Sequence, residues 1–573
     1  VVIVTTKSAQ EGKLSVSFNT YAQVRSLARK MKLLDPYDYV KIQYENVVGD
    51  NTKNYKFRDN FGNPQDFDLY KSVEGVDWQD EILGGHPMSY MYNVTVGGGT
   101  EKLKFNTSLT HNDENGVLIG SGVRRTNLNM KFNAQLSSKV QLLVNSRISY
   151  RRTAGAGADN VGNGGIIDIL RYRPTNGLRD FAVRAPETID PEEEKYFQLT
   201  NPKGQIDQNY NLQHSYTFTN QVSLEWAIMK GLQFRTEGML NMGFSNQDRF
   251  WGYLTSGAYE KQPVADKNSS RSDSYVWTNT LSYGVTLNNK HNLSFLLGQE
   301  VQHSLSRGND FNVRYLPKEI SPTKALNNMG LGTPYSSTSY ISSPDRTASF
   351  FGQANYNFDR KYLVSATFRA DGSTKFAPGN QWGYFPAISG AWVMKKESFM
   401  EDIKSISNLK IRAAVGMAGN NRITDDMWRY QYVINSSGGP GWGERNEKGY
   451  DYYVNAGGST FPNTKIKWET TMTRNLAIDL GLFGERLTIT PEVYWNTTRD
   501  LLYESEIPLT TGYTRQMQNI GQVTNRGFEL TINGNIIDNR DFKLNGNFTF
   551  GSNKTRIDKL NGVDDVIWAT SSR

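Results

Sequence analysis

Apolar and polar side chains alternate along most of this chain. In the segment FKLNGNFTFG (542–551) every second residue is apolar or small, and the residues between them are Lys543, Asn545, Asn547 and Thr549. A period of two is typical of a β-strand whose two faces meet different surroundings. One such strand fits a soluble sandwich, with its apolar face in the core, and equally an outer-membrane barrel, with its apolar face toward lipid.

The same alternation recurs about seventeen times, often over about ten residues or more, whereas soluble strands average ~5–6 residues and a tilted membrane strand needs ~9–11. Examples are VQLLVNSRISY (140–150), KYLVSATFRA (361–370) and LTITPEVYWNTT (487–498). The strands therefore have membrane length. In the second example the pattern predicts that residues of even number in 362–368 face lipid, with Val364 near the bilayer midplane, and that those of odd number in 361–369 face the lumen.

The connections between these strands alternate between short and long, which places short turns at one rim and large loops at the other, as in outer-membrane barrels. The predicted turns are GGGT (97–100), SSK (137–139), MKG (229–231), NNKH (288–291), DRK (359–361), GER (484–486), DNR (538–540) and a longer one near 395–408. The predicted large loops are 24–90, 153–211, 247–273, 307–345, 417–467 and 502–521, with two shorter loops at 113–122 and 370–382.

Composition removes several other classes of protein. The 573 residues are 37% hydrophobic with a mean hydropathy of −0.59, and no run approaches the ~20 apolar residues of a membrane helix. The absence of cysteine excludes disulfides and zinc-thiolate sites, and the five histidines have no metal-ligand spacing. The net charge of +7 comes from mixed residues without a basic block, so we expect no nucleic-acid partner.

No pattern of catalytic residues stands out, and we expect neither an enzyme nor a cofactor. Arg369, Asp371, Lys375 and Glu397 lie close in sequence, but Arg369 closes a predicted strand. The run Asp371-Gly372-Ser373 has the composition of a turn. The chain contains no nucleophile elbow and no phosphate-binding loop.

Several long segments resemble the SusC/RagA-type TonB-dependent transporters. They are RADGSTKFAPGNQWGYFPAISGAW (369–392), LKIRAAVGMAGNNRI (409–423), WETTMTRNLAIDLGLFGERLTITPEVYWNTTRDLL (468–502) and IPLTTGYTRQMQNIGQVTNRGFEL (507–530). The opening VVIVTTKSAQEGKLSVSFNT (1–20) looks like the last plug strand of that family running into the first barrel strand.

The resemblance implies an all-β fold, a transmembrane antiparallel β-barrel with short periplasmic turns and long extracellular loops. The whole protein would have about 22 strands, of which this chain supplies about 17. Residues 1–10 would be the end of the plug domain, and residues 11–573 an incomplete barrel. We therefore expect most of the plug and the C-terminal strands to be missing, and the sheet to remain unclosed.

The same resemblance implies TonB-dependent active import of a nutrient oligomer, a glycan or a peptide, across the outer membrane of a Gram-negative bacterium. Its partners would be a SusD-like surface lipoprotein, the TonB complex, outer-membrane lipid and the oligosaccharide or peptide substrate, and a dimer of transporter–lipoprotein pairs is conceivable. The alternative is a passive porin or an adhesin-type barrel. A third class, a secreted carbohydrate-binding or hydrolytic β-protein, would be soluble without detergent.

Tyrosine and tryptophan are frequent in the predicted long loops, where they can pack the loop, contact the partner lipoprotein or stack on a sugar or peptide. The candidate ligand or partner contacts are Trp251, Tyr253, Trp428, Tyr430, Trp442, Tyr452 and Tyr453.

Overall fold

A single large antiparallel sheet makes up the wall of the molecule. The computed structural model describes residues 11–155, 166–175, 177–178, 202–255, 257–430, 432–435, 453–456, 460–540 and 542–559. In chain order the strands are β1 (Gly12–Val24), β2 (Met88–Gly99), β3 (Leu103–Asn115), β4 (Gly122–Ser137), β5 (Val140–Ala154), β6 (Asn209–Met229), β7 (Leu232–Trp251), β8 (Val264–Leu287), β9 (His291–Arg314), β10 (Thr333–Ile341), β11 (Asp345–Phe358), β12 (Tyr362–Ser373), β13 (Trp382–Val393), β14 (Ile406–Asn420), β15 (Tyr432–Asn435), β16 (Tyr453–Ala456), β17 (Thr460–Phe461), β18 (Glu469–Leu482), β19 (Leu487–Arg499), β20 (Leu502–Glu506), β21 (Arg515–Asn519), β22 (Gln522–Asp538) and β23 (Lys543–Lys559).

Eighteen of these strands form the large sheet, and each pairs with its neighbour in the chain. Strands β10 and β11 pair consecutively with β9, where Ile341 lies opposite Arg307 and Asp345 opposite Ser304. These two strands are therefore one span, interrupted at 342–344, and the sheet has the seventeen spans that the alternation predicts. Strands β15 and β16 form a separate hairpin, and β17, β20 and β21 form a small sheet.

The connections predicted as turns all lie at one rim and the predicted loops at the other. The turn-side connection after β13 (394–405) is nevertheless longer than the loop-side connections after β3 (116–121) and β12 (374–381). In the described part of the chain, the two outermost strands of the sheet, β1 and β23, each pair with one neighbour only. The predicted plug remnant, residues 1–10, lies outside the described residues, and the proposed domain division stays a prediction.

The register fixes which side chains share a face of the sheet. In β12, Tyr362, Val364 and Phe368 are exposed, while the odd-numbered residues between them are half-buried. Val364 lies opposite Tyr356 on β11 and Gly390 on β13, so the even-numbered residues of all three strands share the outer face. This is the predicted alternation, with an apolar outer face and a polar inner one.

An aromatic belt lies beside the short turns. The ring of Tyr362 stacks on those of Trp392 and Phe358, with centroid separations of 6.4 and 6.3 Å. The Tyr356 hydroxyl and the Nδ1 atom of His291 are 2.9 Å apart. Such belts mark the membrane–water interface. Val364 is the next outward-facing residue after Tyr362, and Ala366 and Phe368 follow further from the belt. The depth of Val364 in the bilayer stays a prediction.

Strands β6 to β9 contain 21, 20, 24 and 24 residues, about twice the ~9–11 that a tilted strand needs to cross a bilayer. The predicted loops 247–273 and 307–345 are therefore too long. Strand β8 already begins at Val264, and β10 occupies much of the second range. Alternation could not reveal these extensions because a run such as DKNSSRSD (266–273) is polar on both faces.

The loops at the opposite rim are folded units. The helices are α1 (Pro36–Val47), α2 (Asn51–Phe61), α3 (Trp78–Leu83), α4 (Ile166–Arg171), α5 (Pro202–Gln208) and α6 (Pro322–Asn327), with 3₁₀ helices at Pro64–Ser72, Met329–Leu331, Met394–Lys396, Ser398–Met400 and Leu509–Thr511. The N-termini of the first three helices are capped by the carboxylates of Asp35, Asp50 and Asp77. Among the described residues, none of these helices has the length and apolar character to cross a bilayer.

Candidate functional site

The inner face of the wall is polar, and many of its charges are paired. On β14, Arg412 forms a two-pronged contact with Asp479 of β18, with N–O distances of 2.9 and 3.0 Å. Glu492 of β19 lies 3.8 Å from the same guanidinium. Glu469 at the top of β18 accepts hydrogen bonds from the Asn420 side chain and the Leu502 backbone, both at 3.0 Å. Glu469, Asp479 and Glu492 therefore all have partners within the wall.

The four charged residues that are close in sequence do not form one site. Arg369 donates to Asp371 at 2.7 Å within β12, and Lys375 lies 3.4 Å from Asp345. Glu397 lies at the opposite rim, beside the short turns. The predicted turn at Asp371-Gly372-Ser373 is wrong, because these residues continue β12 and pair with β11.

Glu397 has a structural role at its own rim. It accepts hydrogen bonds from the Tyr362 hydroxyl at 2.7 Å, the Trp392 indole at 3.1 Å and Lys361 at 3.2 Å. These contacts, that of Tyr362 first, hold the pKa of Glu397 below its usual value. Glu397 therefore ties the longer connection that follows β13 to the aromatic belt.

Trp251 and Tyr253 lie where β7 meets the loop that leads to β8. Trp251 is the last residue of β7 rather than a loop residue, a correction to the sequence prediction, and it pairs with Asn209 and Val264. The Arg249 guanidinium lies 5.3 Å from its ring centroid, and Lys318 lies 4.8 Å from that of Tyr253. Both aromatic rings are half-buried and hold the loop together.

Trp428 packs against a loop cluster formed around Phe376, Ile423 and Ile466, and Tyr430 follows two residues later in the chain. The Trp428 indole donates to the Thr374 carbonyl at 3.3 Å, which fixes the 421–430 loop to the end of β12. Tyr430 is 53% exposed and touches Phe461 only edge-on, with ring centroids 6.1 Å apart. Trp428 therefore packs the loop, whereas Tyr430 is open to a partner or ligand.

The remaining candidates cannot be placed as a site. Trp442 and Tyr452 lie outside the described residues. For Tyr453 the structure gives the backbone, which begins β16 opposite Asn435.

Sequence reasoning placed Arg147 of β5 on the lumen face but did not single out Arg125 of β4 or Arg151 of β5. Arg125, Arg147 and Arg151 line a cavity of about 540 Å³ together with polar residues of β4 to β6. A further cavity of about 730 Å³ lies in the turn-side half of the lumen, with Lys410, Arg412 and Asn475 in its wall. The signal was available, since these arginines occupy the polar phase of the alternation, but their partners depend on strand register. The described residues hold no group of His, Asp or Glu side chains arranged to bind a metal ion.

Comparison with known proteins shows which family has this architecture. Residues 149–568 match the family model described as TonB dependent receptor-like, beta-barrel. SusC of Bacteroides thetaiotaomicron is 27% identical over 606 residues, which cover 99% of this chain and 55% of that protein. TonB-dependent receptor P3 of Formosa agariphila is 27% identical over 586 residues, with coverages of 99% and 53%. The chain thus spans about half the length of the curated relatives it matches.

Solved structures agree at the level of the fold. The RagAB peptide importer superposes with a TM-score of 0.79 in its open-open state and 0.78 in its closed-closed state, at 17% identity. The aligned part covers 99% and 97% of this chain, and 63% and 62% of the other. Since the family model matches well over half of the residues, the chain belongs to the TonB dependent receptor-like β-barrel family of the outer membrane.

Proposed function

We propose that the whole protein actively imports a nutrient oligomer, a glycan or a peptide, across the outer membrane of a Gram-negative bacterium, with energy delivered through TonB. The observation that carries this proposal is a wall of seventeen spans with an apolar outer face and a polar inner face. A barrel of 16–18 strands already encloses an aqueous channel, and larger barrels are plugged. In a barrel of about 22 strands, as expected for the whole protein, the lumen holds a plug, and a plug that must move to admit cargo requires an energy source.

The function is tested in the native organism with the full-length gene. Deleting the gene should abolish growth on one nutrient oligomer, and the intact gene should restore it. A gene that lacks only the TonB-binding segment should not restore it, although the protein still reaches the outer membrane. Uptake that survives this deletion would contradict active import and favour the passive porin; an unchanged growth phenotype with lost cell adhesion would favour the adhesin.

We infer that the loop rim binds a SusD-like surface lipoprotein, with two transporter–lipoprotein pairs able to associate as a dimer. Large apolar side chains are exposed on β10 and on the turn before it: Leu331 (60%), Tyr335 (60%), Tyr340 (51%) and Ile341 (73%). Clustered exposed apolar residues on a folded loop are typical of a protein interface. Tyr430, in the loop after β14, is exposed as well.

The partner surface is tested by co-purification with the lipoprotein that is encoded with the transporter. The double substitution Tyr335→Ser, Ile341→Ser should reduce recovery of the lipoprotein at least about tenfold, because interface aromatic and apolar anchors each contribute more than about 1 kcal/mol. The matched control is Phe399→Ser, Phe483→Ser, which alters two side chains that are each 62% exposed at the short-turn rim. Equal recovery from both variants would argue against this surface.

A further inference from the structure

The inner wall places two arginines directly opposite one another. Arg125 of β4 pairs in register with Arg151 of β5, and both side chains lie on the polar face of the sheet. Arg147 follows lower on β5, opposite Asn129, and donates to its side-chain oxygen at 3.0 Å. Like charges that lie directly opposite on a sheet destabilise the pairing, so this arrangement calls for an anion between them.

Within the part of the chain that the structure describes, no carboxylate lies within ion-pair distance of Arg125, Arg147 or Arg151. Other inner-wall arginines are paired. Arg249 contacts Asp266 at 2.6 Å, Arg412 contacts Asp479 at 2.9 Å, and Arg369 contacts Asp371 at 2.7 Å. The positive charge of the β4–β5 wall is thus a local exception.

Arg125, Arg147 and Arg151 line one cavity, and all of its lining residues are polar. Its volume is about 540 Å³, and its walls are Arg125, Asn127, Asn129, Arg147, Ser149, Arg151, Ser215, Thr217 and Thr219. All three guanidinium side chains are exposed to the lumen. Every lining residue offers hydrogen-bond donors, and the set contains neither a carboxylate nor a purely apolar side chain.

We propose that this cavity binds an acidic oligosaccharide, one whose sugars carry carboxylate or sulfate groups, on its way through the lumen. The proposal rests on the proposed import function and names its substrate class. Guanidinium groups form charge-assisted, often bidentate hydrogen bonds with planar and tetrahedral oxyanions. The amide and hydroxyl groups of the same wall suit sugar hydroxyls.

The lining favours a glycan over an acidic peptide, because peptide side chains would meet no apolar subsite among Ser, Thr and Asn. A plug carboxylate is the competing occupant within the same protein. It would pair with the arginines whether or not a ligand is present, so the two occupants predict different results in a binding experiment.

The experiment uses the full-length transporter in detergent. Binding of oligogalacturonate, a chondroitin sulfate oligosaccharide, a neutral maltodextrin of equal length and oligoglutamate is measured for the wild type and two variants. The test variant is Arg125→Gln, Arg151→Gln. The matched control is Arg124→Gln, Arg152→Gln, which removes two charges from neighbouring positions that also face each other in register, but on the outer face of the same strands.

We expect at least one of the two acidic glycans to bind the wild type and the control more tightly than maltodextrin does. The test variant should bind that glycan at least about tenfold more weakly, since hydrogen bonds to charged groups contribute the equivalent of at least a tenfold change. Oligogalacturonate carries carboxylates only, whereas chondroitin sulfate carries both carboxylates and sulfates, so the comparison shows whether carboxylates alone are enough for binding. Raising the salt concentration should weaken binding to the wild type more than to the test variant, which supplies a second readout should the variant fold poorly.

Three results would overturn the proposal. The test variant could bind the acidic glycan as tightly as the wild type, or oligoglutamate could bind more tightly than either acidic glycan. Alternatively, the substitutions could expose the plug to protease in the absence of ligand and leave glycan binding unchanged, which would assign the arginines to the plug. Because binding to purified protein does not need TonB, failure of the import test leaves this result interpretable, and the converse also holds.

Discussion

At the scale of single residues, the outer face of β12 allows a test of membrane depth. Tyr362 lies in the aromatic belt, Val364 follows it and Ala366 lies deeper. An arginine on the lipid face costs about 2–4 kcal/mol at the midplane and about 0–1 near the interface. Ala366→Arg should therefore destabilise the folded protein in lipid vesicles more than Val364→Arg does, as measured by urea unfolding.

The neighbouring inward position supplies the control for this series. Thr367→Arg adds the same charge to the lumen face and should cost less than Ala366→Arg, because the guanidinium stays in water. If Thr367→Arg instead destabilised the protein more than Ala366→Arg, the register of the sheet would be shifted by one residue.

Trp428 and Tyr430, two aromatic residues of the loop after β14, should behave differently on truncation. Trp428→Ala removes the indole that bonds to Thr374 and packs near Phe376, so it should cost up to about 3–5 kcal/mol of local stability. Hydrogen exchange in 421–430 should rise. Tyr430→Ala should leave this exchange unchanged, since the ring is mostly exposed; equal effects of both substitutions would contradict the different roles assigned to them.

At the scale of elements, the folded loop between β1 and β2 has its own hydrophobic core. The buried residues of this core are Tyr39, Val40, Val47, Phe57, Phe61, Tyr70, Trp78, Ile82 and Leu83, together with Ile169 and Tyr172 from the loop after β5. Burial raises the pKa of Tyr39 and that of Tyr70 to about 12. The stability of this folded loop should therefore fall at alkaline pH.

The sign of this pH effect follows from the two phenols. Below the unfolded pKa of about 10, both states hold the proton, and burial of the neutral ring stabilises the unit. Between about pH 10 and pH 12, only the unfolded segment ionises, so stability falls by about 1.4 kcal/mol per pH unit for each tyrosine. Cleavage within 36–83 by a protease active at high pH should rise over this window, before the strands are cut.

A matched pair of variants isolates the contribution of one phenol. The Tyr39 hydroxyl is buried and has no hydrogen-bond partner among the described residues, so Tyr39→Phe removes a titrating group without breaking a bond. This variant should resist cleavage to a higher pH. Tyr55→Phe, at a ring that is 74% exposed, should not. Identical profiles for the two variants would exclude buried tyrosine ionisation as the cause.

At the scale of the whole molecule, the placement of the largest loops at one rim predicts which rim faces outward. The chain has no cysteine, so single cysteines can report accessibility. Leu509→Cys, at a long-loop residue that is 75% exposed, should react with a membrane-impermeant maleimide in intact cells. Asp359→Cys, in the turn between β11 and β12, should react only after the outer membrane is permeabilised. The reverse labelling pattern would show that the barrel has the opposite orientation in the membrane.

The period of two and the alternation of connection lengths were enough to determine the class of fold, the number of spans and the facing of residues such as Val364. These properties are local, because a strand between lipid and water must alternate whatever its neighbours are. Tertiary structure decided what local pattern cannot encode. The extension of β8 over 266–273 is polar on both faces, and the role of Trp428 depends on Thr374, 54 residues earlier in the chain. The opposed pair Arg125 and Arg151 exists only through the β4–β5 register. The sequence marks each arginine as lumen-facing, but which charges lie within reach of one another is set by strand pairing and by the loops that pack above it.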